Sequence, residues 1–127
     1  MLECILYQST PAQEFGAQAL FQLLTQAQLR NASLDITGHL LFVNGQFTQC
    51  LEGPANRIEP LWQTIQSDPR HQNVELLMRR TIDKRRFPEW SMAFSTYSTF
   101  YVHGMRGFFP VDADAPSPLV QLCREAT

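Results

Sequence analysis

The chain has 127 residues, enough for one domain that buries a sizeable core without disulfides. Hydrophobic residues make up 44% of the chain, charged residues 17%, and the formal net charge is −2. That small negative charge argues against nucleic acid or an anionic membrane as the main partner. The start, Met1 to Cys4, carries an acid where a signal peptide has basic residues. No apolar run approaches the ~18–20 residues of a membrane helix, so we expect a cytoplasmic protein.

The three cysteines, Cys4, Cys50 and Cys123, form no pair with the two-residue spacing of zinc or redox motifs. Neither His39 nor His103 stands at a ligand-like distance from another histidine or from a cysteine. The sequence therefore predicts reduced thiols, as in a cytoplasm, and no metal site.

The first half of the chain alternates between strand and helix patterns. Residues 2–8 are short and apolar, as in a central strand. Thr10, Pro11 and Gln13 have the spacing of a helix start, with a capping threonine and a proline in the first turn. Apolar residues follow at helical spacing, and the helix is expected to end near Arg30 and Asn31. Its apolar face contains Phe15, Ala19, Leu20, Leu23, Leu24 and Ala27.

The Asn44-Gly45 pair predicts a hairpin turn. A second amphipathic helix follows, with Pro60 in its opening and an end at 67–69. The four predicted strands after the first helix are 36–43, 46–52, 73–82 and 89–95. The order βαββαββ predicts an α+β fold with two helices on one face of a mixed five-stranded sheet. Residues 96–127 are interpreted as a C-terminal cap that contains a short helix at 119–125.

Two polar residues do not fit a plain core. Alternation along the strand 46–52 places Gln49 on the face of Phe47 and Leu51, with Cys50 on the opposite face. A buried amide left unpaired costs about 1–3 kcal/mol, and a buried tyrosine also needs a partner. The first strand and the strand after a hairpin are commonly neighbours in such folds, so Tyr7 could bond to Gln49.

From the pattern alone, a satisfied Tyr7–Gln49 core pair is the simpler interpretation. The functional alternative is the polar edge of a ligand site under the helices. Asn31 could reach the same site or simply cap the first helix. His71 could pair with Asp68, although a surface-loop histidine is the plainer interpretation. The basic residues are expected to form a solvated strand edge and loop: Arg79, Arg80, Lys84, Arg85 and Arg86.

Five short segments, in order and with their spacing, resemble the BLUF family of flavin-binding blue-light sensors. They cover about residues 2–95, and any one of them alone is weak. The segments are Tyr7-Gln8-Ser9, Asn31 with Ile36-Thr37-Gly38-His39-Leu40-Leu41, Phe47-Thr48-Gln49-Cys50-Leu51-Glu52-Gly53, Asp68-Pro69-Arg70-His71, and Arg86-Phe87 with Trp90-Ser91-Met92.

The resemblance implies a ferredoxin-like fold with a flavin between the two helices, and it assigns roles by position. Tyr7 would be the light-driven electron and proton donor, and Gln49 would lie between it and the flavin. Trp90 and Met92 would relay the change along the fifth strand. The remaining residues would hold the flavin: Leu24, Arg30, Asn31, Phe47, Ile65, Asp68, Arg70 and His71.

The resemblance thus implies a short photoreceptor without an enzymatic part, made of a sensor domain (1–95) and an output segment (96–127). Its cofactor would be FAD, with FMN or riboflavin as alternatives. A downstream protein partner or a homo-oligomer would receive the signal. Two other functions stay open: a flavin-free interaction module on the same fold, and a small ferredoxin-like hydrolase of anionic substrates.

Overall fold

The structure is a computed structural model, and it describes residues 1–13, 16–89, 91–96 and 108. The strands are β1 (Leu2–Pro11), β2 (Thr37–Val43), β3 (Gln46–Pro54), β4 (His71–Ile82) and β5 (Ala93–Ser95), and the helices are α1 (Ala17–Ser33) and α2 (Ala55–Ser67). The sheet order is β4-β1-β3-β2-β5, antiparallel except for the parallel pair β2–β5. The predicted mixed sheet with two helices is confirmed. No helix within the described part of the chain has the length and apolarity to cross a bilayer.

The predicted helix start at Thr10 to Gln13 is wrong. Thr10 and Pro11 end β1, where they pair with Gln72 and His71 of β4. The long partner strand extends β1 past its apolar core, and this pairing overrides the local capping signal. Gly16 caps α1 without a side-chain hydrogen bond.

The end of α1 and the start of α2 also differ from prediction, whereas the predicted end of α2 at 67–69 is confirmed. Helix α1 continues to Ser33, so Asn31 lies inside its last turn and is not a C-cap. Helix α2 begins at Ala55 and keeps Pro60 in its interior. The start at Ala55 places apolar residues of α2 at the spacing that faces the sheet: Ile58, Leu61, Trp62 and Ile65.

The two faces of the sheet have separate cores. The helix side joins Tyr7, Phe47 and Leu51 to the buried residues of α1 and α2. The opposite side contains Cys4, Leu6, Leu41, Cys50 and Phe87. The predicted alternation of Gln49 and Cys50 along β3 is thus confirmed, since Cys50 belongs to the second cluster and Tyr7, which faces Gln49, to the first.

Strand β5 is shorter than predicted, with three residues where 89–95 was expected. It pairs with β2 from Ala93 to Ser95. Two side-chain bonds reinforce the pair: His39 Nε2 lies 2.7 Å from Ser95 Oγ, and Thr96 Oγ1 donates to the Phe42 carbonyl at 2.6 Å. The residues before β5 bond to Glu52 instead of to β2. The Glu52 carboxylate accepts hydrogen bonds from the backbone N–H groups of Arg86 and Phe87. Only Thr96 and Phe108 of the predicted cap at 96–127 are among the described residues, and its predicted helix at 119–125 lies outside them.

Burial of His39 makes the stability of this fold depend on pH. Desolvation lowers the His39 pKa from 6.5 to about 4, so the folded chain binds this proton less readily than the unfolded chain. The stabilisation is fully present above pH 6.5 and is lost as the pH falls towards 4. We expect the free energy of unfolding to fall by up to about 3 kcal/mol over this window.

Urea unfolding at pH 7 and at pH 4.5 measures this loss. His39→Gln should flatten the dependence, while His103→Gln, the same change outside the described residues, should keep it. An unchanged slope in His39→Gln would assign the acid sensitivity to other groups.

Candidate functional site

The central contact of the helix-side face joins Tyr7 and Gln49. They are directly opposed in the β1–β3 register, and the Tyr7 hydroxyl donates to Gln49 Oε1. Only 4% of Tyr7 and 6% of Gln49 is exposed. The sequence-based expectation that these two residues could bond is confirmed.

The nitrogen end of the Gln49 amide faces Met92, the residue that directly precedes β5. Its Nε2 donates to Met92 Sδ at 3.5 Å, and the Met92 carbonyl accepts a hydrogen bond from Gln28 Nε2 of α1 at 3.0 Å. Met92 is fully buried and directly precedes β5. A primary amide carries two N–H donors, and within the described residues only the bond to Met92 uses one of them. Trp90 lies outside the described residues.

A cavity of about 280 Å³ opens beside this pair. It lies over the sheet, between α1 and the end of α2. Apolar walls with a few polar groups are typical of small-molecule sites. The residues that line the cavity are Tyr7, Ser9, Leu23, Gln26, Ala27, Arg30, Leu40, Phe47, Gln49, Ile65, Asp68, Arg70 and His71.

Helix α1 supplies one wall of the cavity. Leu23, Ala27 and Arg30 recur at helical spacing, together with Gln26. Leu24 and Asn31 were predicted to touch a ligand, but they are not part of this wall. Leu24 is buried in the core, and Asn31 Nδ2 donates to the Ser91 carbonyl at 2.9 Å.

The segment after α2 forms the second polar end of the cavity. Arg70 pairs with Asp68 at 2.7 Å and donates to Gln26 Oε1 at 3.1 Å, which connects this segment to α1. His71 begins β4, with Nδ1 2.8 Å from Ser9 Oγ and Nε2 2.6 Å from the Ile65 carbonyl. His71 is therefore a half-buried bridge, and the surface-loop interpretation is wrong.

Burial and charge set the protonation of the site. Desolvation raises the pKa of the Tyr7 phenol far above its usual range, which keeps it protonated, and the Arg30 guanidinium opposes this effect. Desolvation lowers the pKa of Arg30 itself. The hydrogen bond from Arg70 lowers the pKa of Asp68. The cavity thus combines a neutral phenol, a neutral amide and a fixed ion pair.

Sequence reasoning missed five residues of the wall: Ser9, Leu23, Gln26, Ala27 and Leu40. Ser9 follows Tyr7 by two residues on the same strand, so alternation was a signal for it. The three α1 residues share the helical spacing of Arg30. No comparable signal distinguished Leu40 from any other strand residue.

Comparison with known proteins assigns this arrangement to a family. Residues 2–93 match the model of the BLUF family, described as sensors of blue-light using FAD. The chain belongs to the BLUF family. The match covers both helices, the cavity and β1 to β4, and it reaches the first residue of β5.

Individual BLUF proteins agree with the match. The chain is 38% identical over 96 residues to photoactivated adenylate cyclase subunit beta of Euglena longa, which is 75% of this chain and 11% of that protein. It therefore spans only about a ninth of that relative's length. The dark-state structure of BlrB, a BLUF protein, has a TM-score of 0.69 and 34% identity over 73% of this chain and 70% of that one. Klebsiella pneumoniae BlrP1 with FMN and cyclic diGMP has a TM-score of 0.68 and 40% identity over 74% and 25%.

The cavity fits the flavin that BLUF domains bind. Its volume lies just below the usual range of about 300–1,000 Å³ for small-molecule sites, which suits a flat aromatic ring system. Phe47, Leu40 and Ile65 offer apolar surface, and the remaining Gln49 N–H offers a donor to a polar ring edge.

Proposed function

We propose that this chain is a blue-light receptor in which Tyr7 and Gln49 form the light-sensitive pair beside a bound flavin. The observation that carries the proposal is the buried bond from the Tyr7 hydroxyl to Gln49 Oε1 on the cavity wall. The bond supplies both a hydrogen-bond donor that can give up an electron and an acceptor positioned for its proton.

Light absorption and acceptance of an electron are the chemistry that a flavin supplies when bound. The protein's part is to give and regain an electron and a proton at the Tyr7 phenol, with Gln49 Oε1 as the nearest proton acceptor. The Gln49 amide then exchanges donor and acceptor positions by reorienting or tautomerising. This change rewrites the local hydrogen bonds without a lasting covalent product.

The proposed flavin contacts divide between two ends of the cavity. Phe47 and Ile65 pack on the ring, and Arg30 lies at the α1 end. Asp68, Arg70 and His71 close the α2 end. Leu24 and Asn31 join this set only if their side chains turn towards the ring, since neither lines the cavity.

FAD is the flavin proposed here, since the family is described by its use of FAD. FMN and riboflavin are the alternatives, and the BlrP1 structure contains FMN. Reversed-phase chromatography of the flavin released from purified protein distinguishes the three.

The proposed output path runs from Gln49 through Met92 to β5 and the segment 96–127. The contact of Gln49 Nε2 with Met92 Sδ and the position of Met92 directly before β5 support it. Trp90 is proposed as a second relay residue. A downstream protein partner, or a second copy of the chain, would then recognise the altered edge of the sheet. We propose no enzymatic activity for the described residues.

The absorption spectrum of the purified protein, before and after a blue-light pulse, tests the proposal. A flavin spectrum that shifts slightly to longer wavelength and returns in the dark supports it. Irreversible bleaching would indicate ordinary redox chemistry, and absence of flavin even after added FAD would favour a flavin-free interaction module.

Met92→Leu tests the relay separately. Leucine keeps the buried volume but removes the sulfur that accepts from Gln49 Nε2. We expect a normal spectral shift but a smaller light-induced change in hydrogen exchange of the β5 amides. The control Met78→Leu changes a β4 methionine on the opposite side of the sheet and should preserve the exchange response. A full exchange response in Met92→Leu would exclude the relay.

A further inference from the structure

A second cluster of reactive side chains lies on the sheet face opposite the cavity. Cys4 Sγ is 3.4 Å from Cys50 Sγ, and the two sulfurs and a carboxylate oxygen of Glu52 all lie within 4.8 Å of one another. All three residues are at least 97% buried. The proposed photochemistry uses none of them.

The register of β1 and β3 explains how residues 46 positions apart meet. Cys4 is directly opposite Glu52, and Cys50 lies two residues earlier on the same face of β3. Cys4 and Cys50 therefore form a diagonal cross-strand pair, and the Cα atoms of such pairs are typically about 7–8 Å apart. Disulfides prefer about 5.5–6 Å, so a disulfide here would require the strands to shift.

A metal ion fits the same spacing better. Tetrahedral zinc with Zn–S bonds of about 2.3 Å holds two thiolates about 3.8 Å apart. The observed 3.4 Å between the sulfurs therefore needs only a few tenths of an ångström of adjustment. A carboxylate oxygen is also a zinc ligand, at about 2.0–2.2 Å.

The carboxylate of Glu52 is already oriented. It accepts hydrogen bonds from the Arg86 and Phe87 backbone N–H groups at 2.8–3.0 Å. Ligating carboxylates are commonly held by such outer bonds. Because a carboxylate has about four lone-pair positions, these bonds leave room for an ion. Phe87 belongs to the same cluster and helps to exclude solvent.

We propose that Cys4, Cys50 and Glu52 form a binding site for a thiophilic divalent cation of the zinc type. Binding replaces the two thiol protons, which pass to solvent, by two metal–sulfur bonds. The two thiolates and the carboxylate carry three negative charges, which the two positive charges of the ion largely neutralise. A water molecule or one further donor would complete four-coordination.

The protonation of the cluster agrees with this geometry. The hydrogen bond with Cys50 lowers the pKa of the Cys4 thiol, against desolvation and the Glu52 carboxylate, which raise it. The same hydrogen bond and burial raise the pKa of Cys50.

Zinc uptake by the flavin-loaded protein tests the proposal. The protein is reduced with a phosphine, stripped with a chelator, incubated with Zn²⁺ and desalted, and zinc per chain is measured by elemental mass spectrometry. We expect one ion per chain, with release of about two protons in a weakly buffered solution. Co²⁺ in place of Zn²⁺ should give thiolate-to-metal charge-transfer absorption.

Variants locate the ion. Cys4→Ser and Cys50→Ser should each abolish uptake, and Glu52→Gln should weaken it by at least about tenfold. Cys50→Ala avoids a buried hydroxyl if Cys50→Ser folds poorly, and circular dichroism checks the fold of each variant. Cys123→Ser, the matched control, should bind one ion.

Three results would overturn the proposal. These are zinc uptake by the Cys4 and Cys50 variants equal to that of the native protein, loss of uptake in Cys123→Ser, or no uptake by the reduced native protein. None of these readouts depends on the photocycle, so they leave the proposed light-sensing function unaffected.

Discussion

Tyr7→Phe is expected to bind flavin and to lose the reversible red shift after a blue-light pulse. Phenylalanine keeps the ring that packs 5.3 Å from Trp62, measured between ring centroids. It removes the hydroxyl that donates to Gln49 Oε1. Without the hydroxyl, the site lacks the proposed electron and proton donor, so light no longer drives a change in the hydrogen bonds of the Gln49 amide. Absorption spectra before and after the pulse measure the loss, which should be complete.

Stability separates this effect from a folding defect. The substitution leaves the buried Gln49 oxygen without its donor, at a cost of about 1–3 kcal/mol. The flavin-bound protein should therefore remain folded by circular dichroism. Tyr97→Phe, the same chemical change outside the described residues, should shift normally. A normal photocycle in Tyr7→Phe would remove Tyr7 from its proposed role.

Gln49→Leu should have an equally large effect from the other side of the bond. Leucine fills most of the volume of Gln49 but can neither accept from Tyr7 nor donate to Met92 Sδ. We expect the flavin to stay bound and the light-induced shift to disappear. The dark spectrum should also move relative to that of the native protein, because the amide no longer bonds at the ring edge.

The matched control for this variant is Gln46→Leu. Gln46 lies on the same strand, exposed at its start and three residues from Gln49. Its loss should change neither spectrum. A persistent, reversible shift in Gln49→Leu would mean that a different group rearranges after excitation.

The Tyr7–Gln49 pair could be predicted because it depends on two regular features. Strand alternation fixes which face Gln49 occupies, and in folds of this type the first strand commonly lies beside the strand that follows the hairpin, as β1 lies beside β3 here. Neither feature depends on the exact residue at which a strand begins or ends.

Other features depended on long-range pairing that no local pattern contains. Thr10 and Pro11 read as a helix start, but β4 extends far enough to draw them into the sheet. His71 was interpreted as a loop residue because no local pattern indicates its partners. Ser9 is distant in sequence, and the Ile65 carbonyl is placed by the end of α2.

The meeting of Cys4 and Cys50 shows the same limit for metal sites. Zinc motifs are found in sequences by short spacing, whereas here the register of two strands brings the thiols together. The expectation of no metal site rested on spacing alone, and spacing does not report on residues joined across a sheet.

The short attachment of β5 has a consequence for how changes beyond it act on the sheet. Within the described residues, three paired positions and two side-chain bonds connect it to β2, whereas β1 and β4 pair over nearly their whole length. The described residues after β5 add the Thr96 bond to β2 and a bridge between Phe108 and Phe94. A change in these residues therefore acts directly on β5 and leaves the long β1–β4 pairing in place. The Euglena longa relative, matched over 11% of its length, is a much larger protein.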